Sequence, residues 1–221
     1  MIRALICDLD NTLFPARSVP QPTVQPALDA VRAVNRATAL LAEAQLERAL
    51  EACWDHPFDE VARMYGLPER LCRVWNETAE QLEVTAPLQL YPDVALLWAL
   101  PLRFFLVTTG YRRLQESKIA VLGLAARFEA VYVDALGEPL RAGKEALFRQ
   151  LLAEHRLAAA QVAVLGDNPE SELAAGQRLG LWTIQILRQG RPPAPNVASH
   201  IRDLSELAAV LSRFLPEQPA T

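Results

Sequence analysis

The chain has 221 residues, of which 51% are hydrophobic, and a formal net charge of −4. Its hydrophobic content excludes an intrinsically disordered chain, and three cysteines in this length exclude a scaffold held together by disulfides. The acidic balance offers no basic footprint, so we expect no nucleic-acid partner. Among the 22 basic residues only two are lysines, Lys118 and Lys144.

The first predicted element is a short buried strand over residues 2–7, followed directly by the turn-forming sequence DLDNT at positions 8–12. Because an acidic residue interrupts the apolar run at position 8, we expect neither a signal peptide nor a membrane span, and we expect a cytoplasmic protein. The three cysteines have no CxxC spacing, which is typical of reduced thiols that behave as small buried hydrophobes.

The next section, residues 14–86, opens with prolines and continues as helical sequence without a convincing strand. We interpret it as an all-helical cap inserted after the first strand, with residues 1–13 and 87–221 forming the core domain. Helices are predicted over 27–53, 58–65 and 68–82. The aromatic side chains of this section are expected to form the core of the cap, and they are Trp54, Phe58, Tyr65 and Trp75.

The remaining chain alternates between short apolar runs and helical segments. Strands are predicted over 103–108, 130–133, 162–165 and 182–187. Helices are predicted over 112–122, 144–155, 170–179 and 204–215. This alternation is typical of βαβ units, so the predicted fold class is α/β: a Rossmann-like parallel sheet with helices on both faces and the small helical cap.

Polar residues follow four of the predicted strands. They are Asp8 and Asp10, Thr108 and Thr109, Lys144 at the start of a helix, and Asp167 with Asn168 and Glu172 close behind. Because the carboxyl ends of parallel strands meet at one edge of a sheet, these side chains are expected to converge on a single crevice. The sequence therefore predicts at least three carboxylates and one ammonium group in one place.

Carboxylates packed so closely need a cation, and Mg²⁺ is a hard ion that prefers oxygen ligands. Asp8, Asp10 and Asp167 are the candidate metal-binding residues. With a phosphate ester present, Asp8 is the candidate nucleophile and Asp10 the candidate general acid and base. Thr108 and Lys144 are placed to neutralise the phosphoryl oxygens, and Thr109 is a further candidate phosphate contact.

Four motifs in this order resemble those of the haloacid dehalogenase-like hydrolase superfamily. DLDNTL (8–13) resembles its nucleophile loop, LVTTG (106–110) its second motif, Lys144 in GKEALF its third, and GDNPESE (166–172) its acidic fourth motif. The position of the helical section matches the C1-type cap of that family. Two departures stand out: Glu172 replaces the commoner Asp, and Thr109 stands where many members have Asn.

This resemblance implies a Mg²⁺-dependent phosphatase that hydrolyses a small phosphate monoester through an aspartyl-phosphate intermediate, with Thr12, Asn168 and Glu172 supporting the site. It leans towards substrates such as nucleoside monophosphates or phosphoglycolate-like acids, and we expect a monomer or a homodimer. Phosphomutase or dehalogenase chemistry on the same scaffold, or a non-enzymatic interaction protein with this fold, are the alternatives.

Individual residues argue for or against each of these alternative functions. Asp10 argues against dehalogenation, because a halide leaving group needs no acid. Residues 14–102 contain no lysine, which argues against Schiff-base phosphonate cleavage from the cap. A non-enzyme is expected to lack catalytic residues, and none is missing, whereas the motifs do not exclude a mutase. Lys118 is expected on a solvated helix face, and Phe14 is a candidate ligand contact.

Overall fold

Strand β1, Ala4–Cys7, lies at the centre of a six-stranded sheet in the computed structural model, which describes residues 1–138, 141–188 and 191–212. Its side chains alternate between two cores, with Leu5 and Cys7 on one face and Ala4 and Ile6 on the other. All four residues are buried because helices cover both faces of the sheet.

The remaining strands run parallel to β1. They are β2 (Arg103–Gly110), β3 (Ala130–Ala135), β4 (Val162–Gly166), β5 (Trp182–Ile186) and β6 (Ser199–Ile201). The spatial order is β3-β2-β1-β4-β5-β6, so the direction in which strands are added reverses at β1. The predicted α/β Rossmann-like sheet is therefore confirmed, with the carboxyl ends of β1, β2 and β4 at the switch point where such folds bind ligands.

Eight α-helices accompany the sheet within the described residues. They are α1 (Gln21–Thr38), α2 (Glu43–Ala52), α3 (Phe58–Tyr65), α4 (Glu69–Ala79), α5 (Arg112–Val121), α6 (Gly143–Glu154), α7 (Glu172–Arg178) and α8 (Leu207–Leu211). Short 3₁₀ helices lie at Ala16–Ser18, Pro92–Ala99, Ala125–Arg127, Ala159–Gln161 and Leu204–Glu206. Helices α6 and α7 pack on one face of the sheet, and α5 and α8 contribute to the core on the other face.

Helices α1–α4 lie between β1 and β2 and enclose a hydrophobic core to which Tyr111 and Leu136 also contribute. We call residues 21–79 the helical segment. The predicted helix over 27–53 is two helices. Helix α1 ends where Ala39 takes a left-handed conformation with φ of 48°, and the Asn35 side chain caps the turn by donating to and accepting from Leu41. Proline at the second position lets α1 begin at Gln21, earlier than predicted.

The C-terminal part differs most from the prediction. Strand β6 was not predicted, since its three residues are too few to show a periodic pattern. The predicted helix over 204–215 is a 3₁₀ turn at Leu204–Glu206 followed by α8, and its last predicted residues lie outside the described ones. The three cysteines are free, and none of the helices described is long and apolar enough to cross a membrane.

Candidate active site

The carboxyl ends of β1, β2 and β4 bring the predicted site residues together. Asp8 follows β1, Thr108 lies near the end of β2, and Asp167 follows β4; all three are buried. These residues are far apart in the chain, but their strands are neighbours in the sheet. The convergence expected from the sequence is the arrangement that the structure has.

Lys144, at the start of α6, joins two of the acids. Its ammonium group donates to Asp8 Oδ1 and to Glu172 Oε2, each at 2.7 Å. The other oxygen of Glu172 accepts from the Asn168 backbone N–H at 2.8 Å. Glutamate at position 172, a departure from the commoner Asp, therefore reaches both partners from the first turn of α7.

Gly166 makes room for the longer glutamate. A Cβ atom at this position would lie 2.2 Å from Glu172 Oε1 and 2.3 Å from its Cγ, far inside the van der Waals contact distance. Glycine at the end of β4 is thus required by the close approach of the Glu172 side chain, which in turn holds Lys144.

Three carboxylates form a cluster that fits a divalent cation. One oxygen from each of Asp8, Asp167 and Glu172 lies within 4.8 Å of the others, and all three residues are buried. Such an all-oxygen set suits Mg²⁺. The carboxylate of Asp10 is outside this cluster, so its role as a metal-binding residue stays a prediction.

The electrostatics of the cluster follow from burial. Burial raises the pKa of Asp8 to about 7, with Lys144 opposing and Glu172 reinforcing that rise. The pKa of Asp167 is also raised, first by burial and then by repulsion from Glu172. Burial alone would lower the pKa of Lys144, but attraction to Asp8 and Glu172 raises it, so this ammonium group stays charged. A bound cation would relieve the repulsion among the carboxylates.

Asp10 is held by two donors from α5. Lys118 Nζ lies 2.8 Å from its Oδ1, and Gln115 Nε2 lies 2.8 Å from its Oδ2. The expectation that Lys118 belongs to a solvated helix face is wrong, since the residue is only 7% exposed. Gln115 and Lys118 are three residues apart and so share the side of α5 that faces Asp10.

Gln115 also contacts Thr108, whose Oγ1 lies 2.6 Å from its Nε2. The backbone of β2 has to pass close to Gln115, and a Cβ at Gly110 would lie 2.8 Å from the Gln115 side chain. The glycine of the LVTTG motif therefore lets one buried amide connect the ends of β1 and β2.

Thr109 is turned towards β3. Its hydroxyl donates to Asp134 Oδ2 at 3.1 Å, and its predicted phosphate contact stays a prediction. Arg141 also binds Asp134, with Nε 3.0 Å from both oxygens, and its other end forms an ion pair with Asp59 on α3. Arg141 thus connects the end of β3 to the helical segment.

The loop after β1 is itself tied to neighbouring elements. Asn11 has a φ of 58°, a left-handed conformation that Asn tolerates, and its side chain accepts from the Ala16 N–H and donates to the Trp54 carbonyl oxygen. The Thr12 carbonyl oxygen accepts from Arg188 Nε at 3.0 Å. These contacts fix the loop that carries Asp8 and Asp10.

Most of the chain matches the profile of one known protein family. The profile described as haloacid dehalogenase-like hydrolase matches residues 2–180. The chain belongs to this family. The resemblance seen in the four motifs is thereby confirmed, as is the hydrolase class, whereas the cap subtype is not tested by this match.

Three similar proteins differ in the sequence identity and the coverage that they have with the chain. Phosphoserine phosphatase of Thermus thermophilus is 28% identical over 172 residues, which cover 71% of this chain but only 66% of that protein. A HAD phosphatase structure from Thermococcus onnurineus has a TM-score of 0.65 at 19% identity, covering 95% of this chain and 98% of that one. The magnesium-bound structure of YfnB from Bacillus subtilis has a TM-score of 0.61 at 19% identity, with the same coverage. The two structural likenesses show the shared fold.

A cavity of about 180 Å³ extends from the acids of this haloacid dehalogenase-like site to the helical segment. Trp54, Phe58 and Trp75 line it, and Phe58 and Trp75 stack with their rings 4.7 Å apart. These two aromatics are also buried in the core of the segment, as expected. Phe14 is fully buried in the hydrophobic core that contains Leu5 and Cys7 and does not line the cavity, so its interpretation as a ligand contact is wrong.

The residues of this site that sequence reasoning missed include Gln115, Lys118, Asp134 and Arg141. The scarcity of lysine was a usable signal for one of them, because both lysines of the chain are buried against site carboxylates. For Asp134 and Arg141 no comparable signal exists in the sequence, since their pairing depends on how β3 and α3 are placed.

Proposed function

We propose that the protein is a Mg²⁺-dependent phosphatase that hydrolyses a small phosphate monoester through an aspartyl phosphate on Asp8. The observation that carries this proposal is the pairing of Asp8 with Lys144 beside a second carboxyl, Asp10, that two donors hold in place. A curated relative named phosphoserine phosphatase and a magnesium-bound structural neighbour support it.

The residues divide the reaction into two steps. In the first, an Asp8 carboxylate oxygen forms a bond to phosphorus while the bond to the leaving oxygen breaks, and Asp10 gives that oxygen its proton. In the second, Asp10 takes a proton from a water molecule, whose oxygen attacks phosphorus and releases Asp8 and inorganic phosphate. Lys144 orients Asp8 and offers positive charge to the phosphoryl oxygens in both steps.

Asp8, Asp167 and Glu172 would hold the metal ion, since their oxygens form the buried cluster. When bound, Mg²⁺ supplies positive charge that offsets the repulsion between Asp8 and the phosphate oxygens. Arg191 Nε lies 2.6 Å from Asp167 Oδ2, and its Nη2 donates to the Asp55 carbonyl oxygen in the helical segment. Arg191 thus balances part of the negative charge of Asp167 and connects it to that segment.

Residues 14–86 would act as a cap that covers the reacting groups and excludes water. Three contacts from the segment to the site residues support this role: Trp54 with Asn11, Asp59 with Arg141, and Asp55 with Arg191. A lid tied to the site by such contacts has to break and remake them as substrate enters and product leaves.

The geometry favours a phosphatase over a dehalogenase. A dehalogenase has no use for an acid aimed at the leaving group, yet Asp10 is held by a buried lysine and a buried amide. A mutase shares the first chemical step, so only the fate of the phosphoryl group separates the two activities.

The test is release of inorganic phosphate from p-nitrophenyl phosphate and other esters in the presence of Mg²⁺. Asp8→Asn should lower the rate by at least about a thousandfold, because the amide is not a nucleophile. Asp29→Asn, an exposed acid on α1, is the control. Wild-type activity in Asp8→Asn, or no turnover of any ester by the wild-type protein, would overturn the proposal.

A further inference from the structure

The cavity above Asp8 has an apolar wall on the side of the helical segment. We use this term for six residues that line it: Val24, Leu28, Leu50, Phe58, Trp75 and Leu82. Four of them are at least 93% buried, and all belong to or pack against the core of the segment. A group bound there would exchange water for hydrocarbon and aromatic surface.

The positive charges in the cavity lining are already neutralised. Lys118 is paired with Asp10, and Lys144 is paired with Asp8 and Glu172. No arginine is among the described residues that line the cavity. His56 also lines it, and its Nδ1 lies 3.6 Å from Glu60 Oε2.

The acid that the helical segment contributes to the lining is likewise paired. Asp55 Oδ2 lies 3.4 Å from an Arg17 nitrogen, and the Asp55 side chain is 38% exposed. A positively charged group in the cavity would therefore compete with Arg17 for this carboxylate. A second charge of either sign on the substrate would lose its hydration without gaining an unpaired charge of opposite sign among the described residues of the lining.

We infer that the alcohol part of the substrate is uncharged and mostly apolar, so that the protein prefers phosphate esters of neutral alcohols over phospho-acids and phosphocholine-like esters. This inference rests on the proposed phosphatase function and names its substrate class. This substrate class differs from the one that the motifs suggest, which is nucleoside monophosphates or phosphoglycolate-like acids.

The size of the cavity limits that alcohol. An apolar cavity of roughly 150 Å³ accommodates one benzene molecule, and the phosphoryl group takes part of the 180 Å³ present. The cavity therefore encloses an apolar body of about one ring or a short branched chain. A nucleoside is too large to lie entirely inside it.

Two pairs of isosteric esters test the inference on the wild-type protein with Mg²⁺. Isobutyl phosphate has the shape of phosphoglycolate with two methyl groups in place of the carboxylate oxygens. The ester 3,3-dimethylbutyl phosphate has the shape of phosphocholine with carbon in place of the charged nitrogen. We expect kcat/KM to be at least about tenfold higher for the neutral member of each pair.

A charged member hydrolysed as fast as its neutral isostere would overturn the inference while leaving the phosphatase proposal intact. If none of the four esters and no p-nitrophenyl phosphate releases phosphate, the phosphatase proposal itself fails. The two failures are therefore distinguishable.

A substitution in the apolar wall provides a second test. Leu28 is only partly buried, so Leu28→Arg adds a cation to the wall with limited disturbance, and Leu28→Met is the neutral control of similar length. The ratio of kcat/KM for phosphoglycolate to that for isobutyl phosphate should rise about tenfold in Leu28→Arg and stay unchanged in Leu28→Met. An unchanged ratio in a folded Leu28→Arg protein would contradict the inference. If this variant does not fold, the isosteric pairs decide.

Discussion

Lys118 Nζ lies 2.8 Å from Asp10 Oδ1, although the two residues are 108 positions apart in the chain. Lys118 and Gln115 are buried, and the amide nitrogen of Gln115 contacts the other oxygen of the half-buried Asp10. The carboxyl proposed to move the proton therefore has a fixed orientation before any substrate binds.

Loss of Lys118 should weaken acid catalysis more than binding. We expect Lys118→Ala to lower kcat about a hundredfold for an alkyl phosphate, because a misplaced acid protonates the leaving oxygen poorly. The decrease should be smaller for p-nitrophenyl phosphate, whose leaving group needs little protonation. Steady-state kinetics with both esters measure the difference, and Arg113→Ala on the exposed side of α5 is the control. An equal decrease for both esters would indicate a structural role only.

Gly166 and Glu172 should behave as an interdependent pair. Gly166→Ala should cost about 1–3 kcal/mol of unfolding free energy, since its Cβ would overlap the Glu172 side chain. In a Glu172→Asp background the same substitution should cost less, because the shorter side chain leaves space, and the coupling should be about 0.5–3 kcal/mol. Urea unfolding of the two single variants and the double variant measures it. Additive effects would show that the two positions do not share this space.

The stabilisation by Mg²⁺ should depend on pH. In the metal-free protein burial raises the pKa of Asp8 to about 7 from an ordinary value of 3.8. Between these two pH values the folded state therefore holds a proton on Asp8 that the unfolded state has released. The stability from this group is complete below about pH 4 and lost as pH rises through about 7. Because Mg²⁺ binds the ionised carboxylates, its effect on Tm should be larger at about pH 8 than at about pH 5.5.

Thermal melts with EDTA or Mg²⁺ at each pH measure this effect. Asp8→Asn is the matched variant, since it keeps the side-chain shape without a titratable group, and its Tm increment should depend less on pH. Equal increments for the wild-type protein at both pH values would contradict the prediction.

Arg141 should matter mainly through the buried acid that it contacts. Arg141→Ala leaves the Asp134 carboxylate, 1% exposed, with only the Thr109 hydroxyl and the Gly143 N–H, and should cost about 3 kcal/mol of unfolding free energy. Asp59→Ala removes only the partly exposed ion pair between Arg141 and Asp59. It should lower the free energy of unfolding by less than about 1 kcal/mol. Denaturant unfolding compares the two. A larger cost for Asp59→Ala would place the important contact at the helical segment.

Much of the site could be predicted because its signals are local. The alternation of apolar runs and helices predicted the parallel sheet, and the rule that its strand ends converge predicted that Asp8, Thr108 and Asp167 lie close together. The order of the motifs likewise placed Lys144 and Glu172 at helix starts near these acids. Helix boundaries were less accurate where one capping side chain, Asn35, ends a helix in the middle of a continuous helical pattern.

The amino-acid sequence by itself determined the fold class, the family and the identity of the candidate nucleophile, because each depends on residue type and short-range spacing. Only the tertiary structure decided that Lys118 faces Asp10, that Glu172 is long enough to reach Lys144, and that an apolar wall stands opposite Asp8. The physical reason is that these facts depend on the packing of elements far apart in the chain. The two lysines show the difference: their scarcity is a property of the sequence, whereas their burial beside two different carboxylates is a property of the fold.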